Sequence, residues 1–149
     1  MKIIDVVAAI IQRQDKILLA QRGENSDQAG LWEFPGGKVD VGESQPQALR
    51  RELAEELMIE ADIGHYIASQ QSDLPSRRIY LHAWHVAEFR GEPQIQCHSA
   101  IIWVTPEQAR HYPLAPADIP LLEAFITQQA KLSTNASDVS KSADLFRPH

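Results

Sequence analysis

A chain of 149 residues, 44% hydrophobic and 23% charged, is long enough for one domain with a sizeable core. Its formal net charge of −6 excludes a broad nucleic-acid-binding surface, which needs a basic face, but not a free nucleotide whose charge a bound metal offsets. The single cysteine, Cys97, excludes an internal disulfide and fits a reducing cytoplasm, and no apolar run reaches membrane-spanning length.

The N-terminal stretch MKIIDVVAAIIQRQDK has a short apolar run broken by Asp5 and lacks a small-residue cleavage pattern. It reads as a buried strand over Ile3–Ile11, not as a leader peptide. Gln14-Asp15 turns the chain into a second strand, Lys16–Arg22, and GENSDQAG (23–30) is a polar loop. Leu31–Phe34 suits a short strand, after which Pro35-Gly36-Gly37 forms a tight turn. The next helix has clear start signals. Ser44 is its N-cap, Gln47 completes a capping box, and Pro46 is tolerated in the first turn. Leu49, Leu53 and Leu57 make its apolar stripe.

Two further strands are expected over Ala61–Gln71 and Arg77–Glu88, and another over Ala100–Val104. In the second of these, Arg78, Tyr80, His82, Trp84 and Val86 alternate with Arg77, Ile79, Leu81, Ala83 and His85. Pro106–His111 gives one or two helical turns. Asp118 or a neighbour caps a last helix running to about Leu132, with Leu121, Leu122, Phe125 and Ile126 facing inward. From Ser133 the chain loses periodicity and becomes Ser/Asp/Lys-rich, so the reading is a domain over 1–132 and a loose tail over 133–149. The class is α/β, with a mixed sheet between helices.

The chemistry concentrates in GKVDVGESQPQALRRELAEELMI, Gly37 to Ile59. On a helix Glu52, Glu55 and Glu56 stand at i, i+3 and i+4, so their like charges crowd one face. At about 100° per residue they centre roughly 105° from the leucine stripe, at the rim of the core. Oxygen-only acidic clusters suit a hard divalent cation such as magnesium, which commonly bridges to substrate phosphates. Taken alone, the trio reads more readily as a solvated helix face paired with Arg50 and Arg51, since charged helix faces are common.

The register of the surrounding residues decides between these. Gly37, five residues, Glu43, seven residues, Arg51-Glu52-Leu53, one residue, Glu55-Glu56, one residue, Met58-Ile59 resembles the Nudix box. Eight of its nine defined positions are met; Met58 replaces the last glycine, so the helix either runs further or closes differently. The resemblance implies an α/β/α sandwich in which Glu52, Glu55 and Glu56, with the Gly36 carbonyl, hold Mg²⁺ or Mn²⁺. Glu43 then supports the metal site directly or through Arg51. In several similar proteins a glutamate before the strand ending Ile101-Ile102-Trp103 acts as base or extra metal ligand. Cys97 falls in that register here, and cysteine is a poor ligand for magnesium, which leaves Glu55 or Glu56 as base.

Outside the box, AQRGENSDQAGLWEFPGGK, LHAWHV and YPLAPADIPLLEAF resemble the small triphosphate hydrolases of the family. These are the CTP and pyrimidine deoxynucleotide pyrophosphohydrolases and the mutator-type enzymes that remove oxidised purine triphosphates. By that resemblance Arg22, Phe34, Lys38, Arg78 and Asp118 are candidate substrate-binding residues. Arg22 and Lys38 would meet phosphate, though a strand-end charge and a solvated lysine are the plain alternatives. Trp32, Phe34, Tyr80 and Trp84 offer aromatic faces. Asp118 aligns with a base-reading position; ionised, it only accepts hydrogen bonds, which suits the cytosine amino group. Capping the last helix is its other role. The six histidines show no metal-ligand spacing.

The implied activity is a Mg²⁺-dependent pyrophosphohydrolase acting on CTP, dCTP or modified cytosine nucleotides in nucleotide-pool sanitation. The alternatives are 8-oxo-dGTP hydrolysis and a catalytically weak nucleotide-sensing module. The expected partner is a small-molecule nucleotide, not a nucleic-acid polymer or a membrane, in a cytoplasmic monomer or homodimer.

Overall fold

The apolar N-terminal run forms the spine of the sheet. In the computed structural model, which describes residues 2–146 with side chains through residue 132, it is β1 (Lys2–Arg13). Val7, Ala9 and Ile11 of β1 pack toward one helix, and Ala8 and Ile10 toward another. Both faces of the strand are therefore covered, which is why the run is continuously apolar where a half-exposed strand alternates.

β1 is long enough to serve two halves of one 7-stranded sheet. Its outer half lies between β4 (Gly36–Lys38), antiparallel, and β7 (Arg77–Val86), parallel from Lys2↔Arg77 to Ile11↔Val86. β6 (Tyr66–Leu74) closes a hairpin onto β7. At its far end β1 turns through Gln14 into β2 (Lys16–Gln21), which pairs with β3 (Trp32–Glu33) and β9 (Ala100–Val104). A separate ribbon joins β5 (Glu60–Asp62) to β8 (Glu88–Arg90).

One face carries α1 (Gln45–Leu57), whose Leu49, Leu53 and Leu57 are fully buried against Val7, Ala9, Ile11 and Leu18. The other carries α3 (Asp118–Phe146), seated by Leu121, Leu122 and Phe125 on Ala8, Ile10, Ile17 and Leu19. α2 (Pro106–Ala109) is a single turn capped by Thr105. This is the expected α/β/α sandwich. No helix among the described residues is long and apolar enough to cross a membrane.

Four local readings are corrected. Gly36–Lys38 is not only a turn but a strand on β1, with Val6 opposite Lys38 and Ala8 opposite Gly36. The strand read over Ala61–Gln71 is two, β5 and β6, because the chain jogs at Gly64. There the Gly64 N–H donates to the His85 carbonyl at 2.8 Å, and a Cβ would come within 2.7 Å of that oxygen. Met58 neither extends the helix nor closes it differently. It adopts φ 61°, ψ 32° and donates its N–H to the Ala54 carbonyl, taking the left-handed cap itself. Finally, α3 continues past Leu132 as far as Phe146. The expected loose tail, 133–149, otherwise lies outside the described side chains.

The capping box at Ser44 is as expected. The Gln47 N–H donates to Ser44 Oγ at 3.2 Å, and the Ser44 N–H to Gln47 Oε1 at 2.9 Å. These bonds fix where α1 begins, and hence the turn on which Glu52, Glu55 and Glu56 stand.

A left-handed conformation strains any residue with a Cβ, and the Met58 side chain is largely exposed, so it offers little packing in return. Met58→Gly is expected to raise the unfolding free energy by about 1 kcal/mol, read from the urea midpoint at constant slope. An unchanged or lower midpoint contradicts the left-handed cap.

Candidate active site

The acidic turn of α1 is held together by one guanidinium. Arg51 donates from Nε and Nη2 to the two oxygens of Glu43, at 2.8 and 2.9 Å, and from Nη1 to Glu52 Oε1 at 2.8 Å. Nη2 also reaches the Lys38 carbonyl at 3.0 Å, and Glu55 Oε2 lies 3.5 Å from Nη1. The planar fork thus ties the loop before α1, the β4 backbone and the glutamates into one unit, which an ammonium could not do. Its hydrogen bonds hold the Glu43 carboxyl down to about 2, helped by the Asp40 backbone N–H. Glu43 thus pairs with Arg51, one of the two arrangements the sequence left open.

The glutamates meet the sheet where the paired glycines run. A Cβ on Gly37 would collide with the Glu52 carboxylate, and one on Gly36 with the Val7 carbonyl. Only glycine lets α1 lie this close to β4. Glu52 and Glu56 are both largely enclosed, and Glu55 is exposed. Glu56 accepts the Gly36 N–H, yet its buried Oε2 has no hydrogen-bond partner among the described residues. The nearest donor, His98 Nδ1, is 3.9 Å away, beyond hydrogen-bonding reach. Burial pushes the Glu56 carboxyl up to about 7; Glu52 and Glu33 add to the rise, and His98 opposes it. An orphaned carboxylate oxygen in an oxygen-rich turn fits a divalent cation, which would satisfy the atom and offset the crowded charge. Glu52, Glu55, Glu56 and the Gly36 carbonyl are the residues that would hold it.

This turn opens on a cavity of about 350 Å³, walled by Arg22, Glu33, Phe34, Gly36, Gly37, Glu56, Leu81, Cys97 and His98 among others. A larger, shallower groove of about 740 Å³ lies along α1 by Arg50, Met58 and Arg90, and none of the three glutamates lines it. Of the three glutamates, Glu56 lines the smaller cavity, and Arg51 lines the larger groove.

Its deep wall is a chain of polar contacts that the sequence did not reveal. Arg22 Nη1 donates to Glu33 Oε1 at 2.7 Å, and His98 Nε2 pairs with Glu33 Oε2 at 3.0 Å. Burial alone would raise the Glu33 carboxyl, but the hydrogen bonds from His98 and Arg22 outweigh it and hold it low. The same bond to Glu33 raises the His98 imidazole against the effect of burial. His98 is only 8% exposed, whereas its neighbour Cys97 lies exposed at the rim, with its thiol pushed up by burial and by Glu56 and Glu33. The residue nearest Glu56 from this loop is therefore His98, with Cys97 next to it. The signal was available in Glu33, an acid ahead of the Pro-Gly-Gly segment, and in His98, one step from the register position assigned to Cys97.

Asp118 is 4% exposed and does not reach the cavity wall. Its carboxylate accepts the Phe34 backbone N–H, a bond to the β3–β4 connection. Burial, with Glu33 nearby, pushes it up to about 7, and the Phe34 N–H and Arg22 pull the other way. Phe34 stands between the two, on the wall yet 3% exposed and part of the α3-side core.

The remaining candidates stand apart from the cavity. Lys38 has an exposed side chain on β4, next to Gly37. Arg78 is on the β6–β7 hairpin and donates from Nε to Asp73 at 2.8 Å. Trp32 stacks edge-on against Tyr112, and Trp84 donates its indole N–H to Gln45. Tyr80 stacks on His82, which pairs with Asp5 and Tyr66. His85 pairs with Gln12 and stacks on Phe125, so both central histidines of β7 are structurally satisfied.

The chain resembles known proteins over most of its length. The NUDIX domain matches residues 1–125. The CTP pyrophosphohydrolase of Escherichia coli K12 is 63% identical over 130 residues, 87% of this chain and 96% of that protein. An 8-oxo-dGTP diphosphatase of Haemophilus influenzae is 37% identical over 128 residues, 85% of this chain and 94% of that one. Among solved structures, that of the E. coli ORF135 protein superposes with a TM-score of 0.82 at 62% identity, covering 88% of this chain and 94% of its own. The MutT NUDIX hydrolase of Burkholderia pseudomallei gives 0.74 at 27% identity, covering 83% and 98%. Nudix hydrolases generally use divalent metal ions and act on small-molecule nucleotides. By both the matched span and the identity of its relatives, the chain belongs to the NUDIX family of hydrolases.

Proposed function

We propose that this Nudix hydrolase is a Mg²⁺-dependent pyrophosphohydrolase, with Mn²⁺ as a substitute. It converts CTP, dCTP and modified cytosine nucleotides to the monophosphate and pyrophosphate, as a cytoplasmic enzyme of nucleotide-pool sanitation. The observation that carries the reading is the buried, unpartnered Glu56 Oε2 beside Glu52, on a cavity that also presents Arg22. A divalent ion held there supplies charge neutralisation for the triphosphate and polarises the phosphorus-bound oxygens.

The chain's own residues do the rest. Arg51 fixes Glu52 and Glu43 so that no reorganisation is needed when substrate enters. Glycines 36 and 37 let the Glu52 carboxylate and β1 lie against the β4 backbone. Arg22 is oriented by Glu33 at the cavity wall, where its remaining N–H groups can meet phosphate oxygens. We place the base against the Glu33–Phe34 wall and infer that substrate entry shifts Phe34, so that Asp118, behind that wall in the free protein, meets the base edge. Above pH 7 the ionised Asp118 only accepts hydrogen bonds, which suits the cytosine amino group. A carboxyl poised at about 7 also favours a second reading, 8-oxo-dGTP hydrolysis, in which the protonated acid donates to O6 of the purine. The 63% identity to the CTP pyrophosphohydrolase sets cytosine first.

Pyrophosphate release from CTP with magnesium is the direct test, with Glu55→Gln and Glu52→Gln each lowering kcat about 100- to 1,000-fold. No release by the unmutated protein supports a nucleotide-sensing module instead. The Asp118 assignment is tested separately. Because the two substrates need opposite protonation states of a carboxyl near 7, the kcat/KM ratio of CTP to 8-oxo-dGTP is expected to rise roughly 100-fold from pH 6 to pH 8. It should be flat in Asp118→Asn. A flat ratio in the unmutated protein removes Asp118 from base selection.

A further inference from the structure

On the reading that Glu52, Glu55, Glu56 and the Gly36 carbonyl hold the divalent ion, we propose that Trp84 is a positioning residue for that ion's site. Its indole N–H grips Gln45 and thereby fixes the rotational setting of the helix that carries the acids.

The donors come from two elements. The three glutamates belong to α1 and the Gly36 carbonyl to β4, so the way α1 lies on the sheet decides whether they converge. Magnesium tolerates little departure from octahedral coordination. The leucine stripe sets how deep the helix sits, because Leu49, Leu53 and Leu57 are fully buried. Apolar burial is non-directional, so it resists a small roll about the helix axis only weakly. Directional contacts set that angle.

Near the acids these contacts are the Gly36 N–H on Glu56 and the Arg51 bond to Glu52. At the start of the helix the contact is Gln45, whose Oε1 accepts the Trp84 indole N–H at 2.9 Å. At about 100° per residue Gln45 falls midway between Glu52 and Glu56, on the same flank of α1. With a rise of 1.5 Å per residue, Gln45 and Glu52 stand roughly 10 Å apart along the axis. A rod held on one flank at two points so far apart cannot roll without breaking one of them.

Trp84 is itself braced. It stands on β7 beside Ala9 of β1 and opposite Tyr66 of β6. The Tyr66 ring meets it edge-on, with centroids 5.3 Å apart. The Tyr66 hydroxyl lies 3.0 Å from His82 Nδ1, and His82 Nε2 lies 3.0 Å from Asp5 Oδ1. The brace therefore spans three strands. The capping box at Ser44 holds the backbone next to Gln45. Neither Trp84 nor Gln45 lines the cavity, so their influence on its chemistry passes through α1.

The test uses the full-length chain without nucleotide, titrated with magnesium. The indole ¹H–¹⁵N signal of Trp84, assigned by its loss in Trp84→Phe, is expected to shift saturably as the ion binds. Trp84→Phe and Gln45→Met each remove the bond and should weaken magnesium binding about fivefold. The double variant should lose no more than either single one, because both remove the same contact. At saturating magnesium kcat for CTP should fall about fivefold while KM stays within about twofold. Val86→Ala, at a fully buried site on the same strand, should lower the urea midpoint and leave magnesium binding unchanged. Gln45→Met decides the matter if Trp84→Phe does not fold. Unchanged magnesium affinity in the folded variants overturns the positioning role alone, as do additive losses in the double variant. No saturable response in the unmutated protein overturns the metal reading together with it.

Discussion

Three carboxylates on one helical turn repel one another, and the rest of the molecule is arranged so that they can stay there. An isolated helix carrying Glu52, Glu55 and Glu56 at this spacing would lose stability to like-charge repulsion. Here the turn is pinned from below by Leu49, Leu53 and Leu57, fully buried against the sheet. It is bridged from the side by Arg51, whose contacts with Glu43 and Glu52 span the loop and the helix. Packing supplies position and the guanidinium removes part of the repulsion. What remains is the enclosed Glu56 oxygen, whose deficit only a cation or a proton relieves.

The same constraint explains the backbone around it. A helix carrying bulky acids cannot approach a sheet unless the facing strand lacks side chains, and β4 begins with two glycines. β4 in turn is held by β1, the strand that both helices cover. The path from the N-terminal apolar run to the acidic turn is therefore short and rigid. This suits a site that must hold charge without reorganising when substrate arrives.

Much of this was legible in the sequence because it depends on local spacing. The Ser44–Gln47 capping box, the leucine stripe of α1 and the continuous apolar run of β1 each announce their structure within a few residues. The Gly37-to-Ile59 register did the same for the acidic turn. What was hidden depends on contacts distant in the chain. Glu33 and His98 meet across 65 residues, and no spacing rule links them. Cys97 attracted notice by register, yet the side chain that turned inward was its neighbour, a choice set by how the loop enters β9. The Gly64 jog reflects a close approach to the His85 carbonyl, which β-branched composition does not encode. Met58 shows the opposite failure. The expected glycine was absent, but the helix closed as though it were present, because the geometry of the cap outweighs the strain of one exposed side chain.

The chemistry of the acidic turn depends on whether its three acids grip a hard cation in the free protein. Magnesium titrated into protein carrying ¹³C-labelled glutamate carboxyls, with no nucleotide added, addresses this at atomic level by NMR. Saturable shifts concentrated on the carboxyl carbons of Glu52, Glu55 and Glu56, with distant acids such as Glu107 and Glu123 unmoved, are what the structure requires. Small, unsaturating shifts spread evenly over all exposed carboxylates would contradict it.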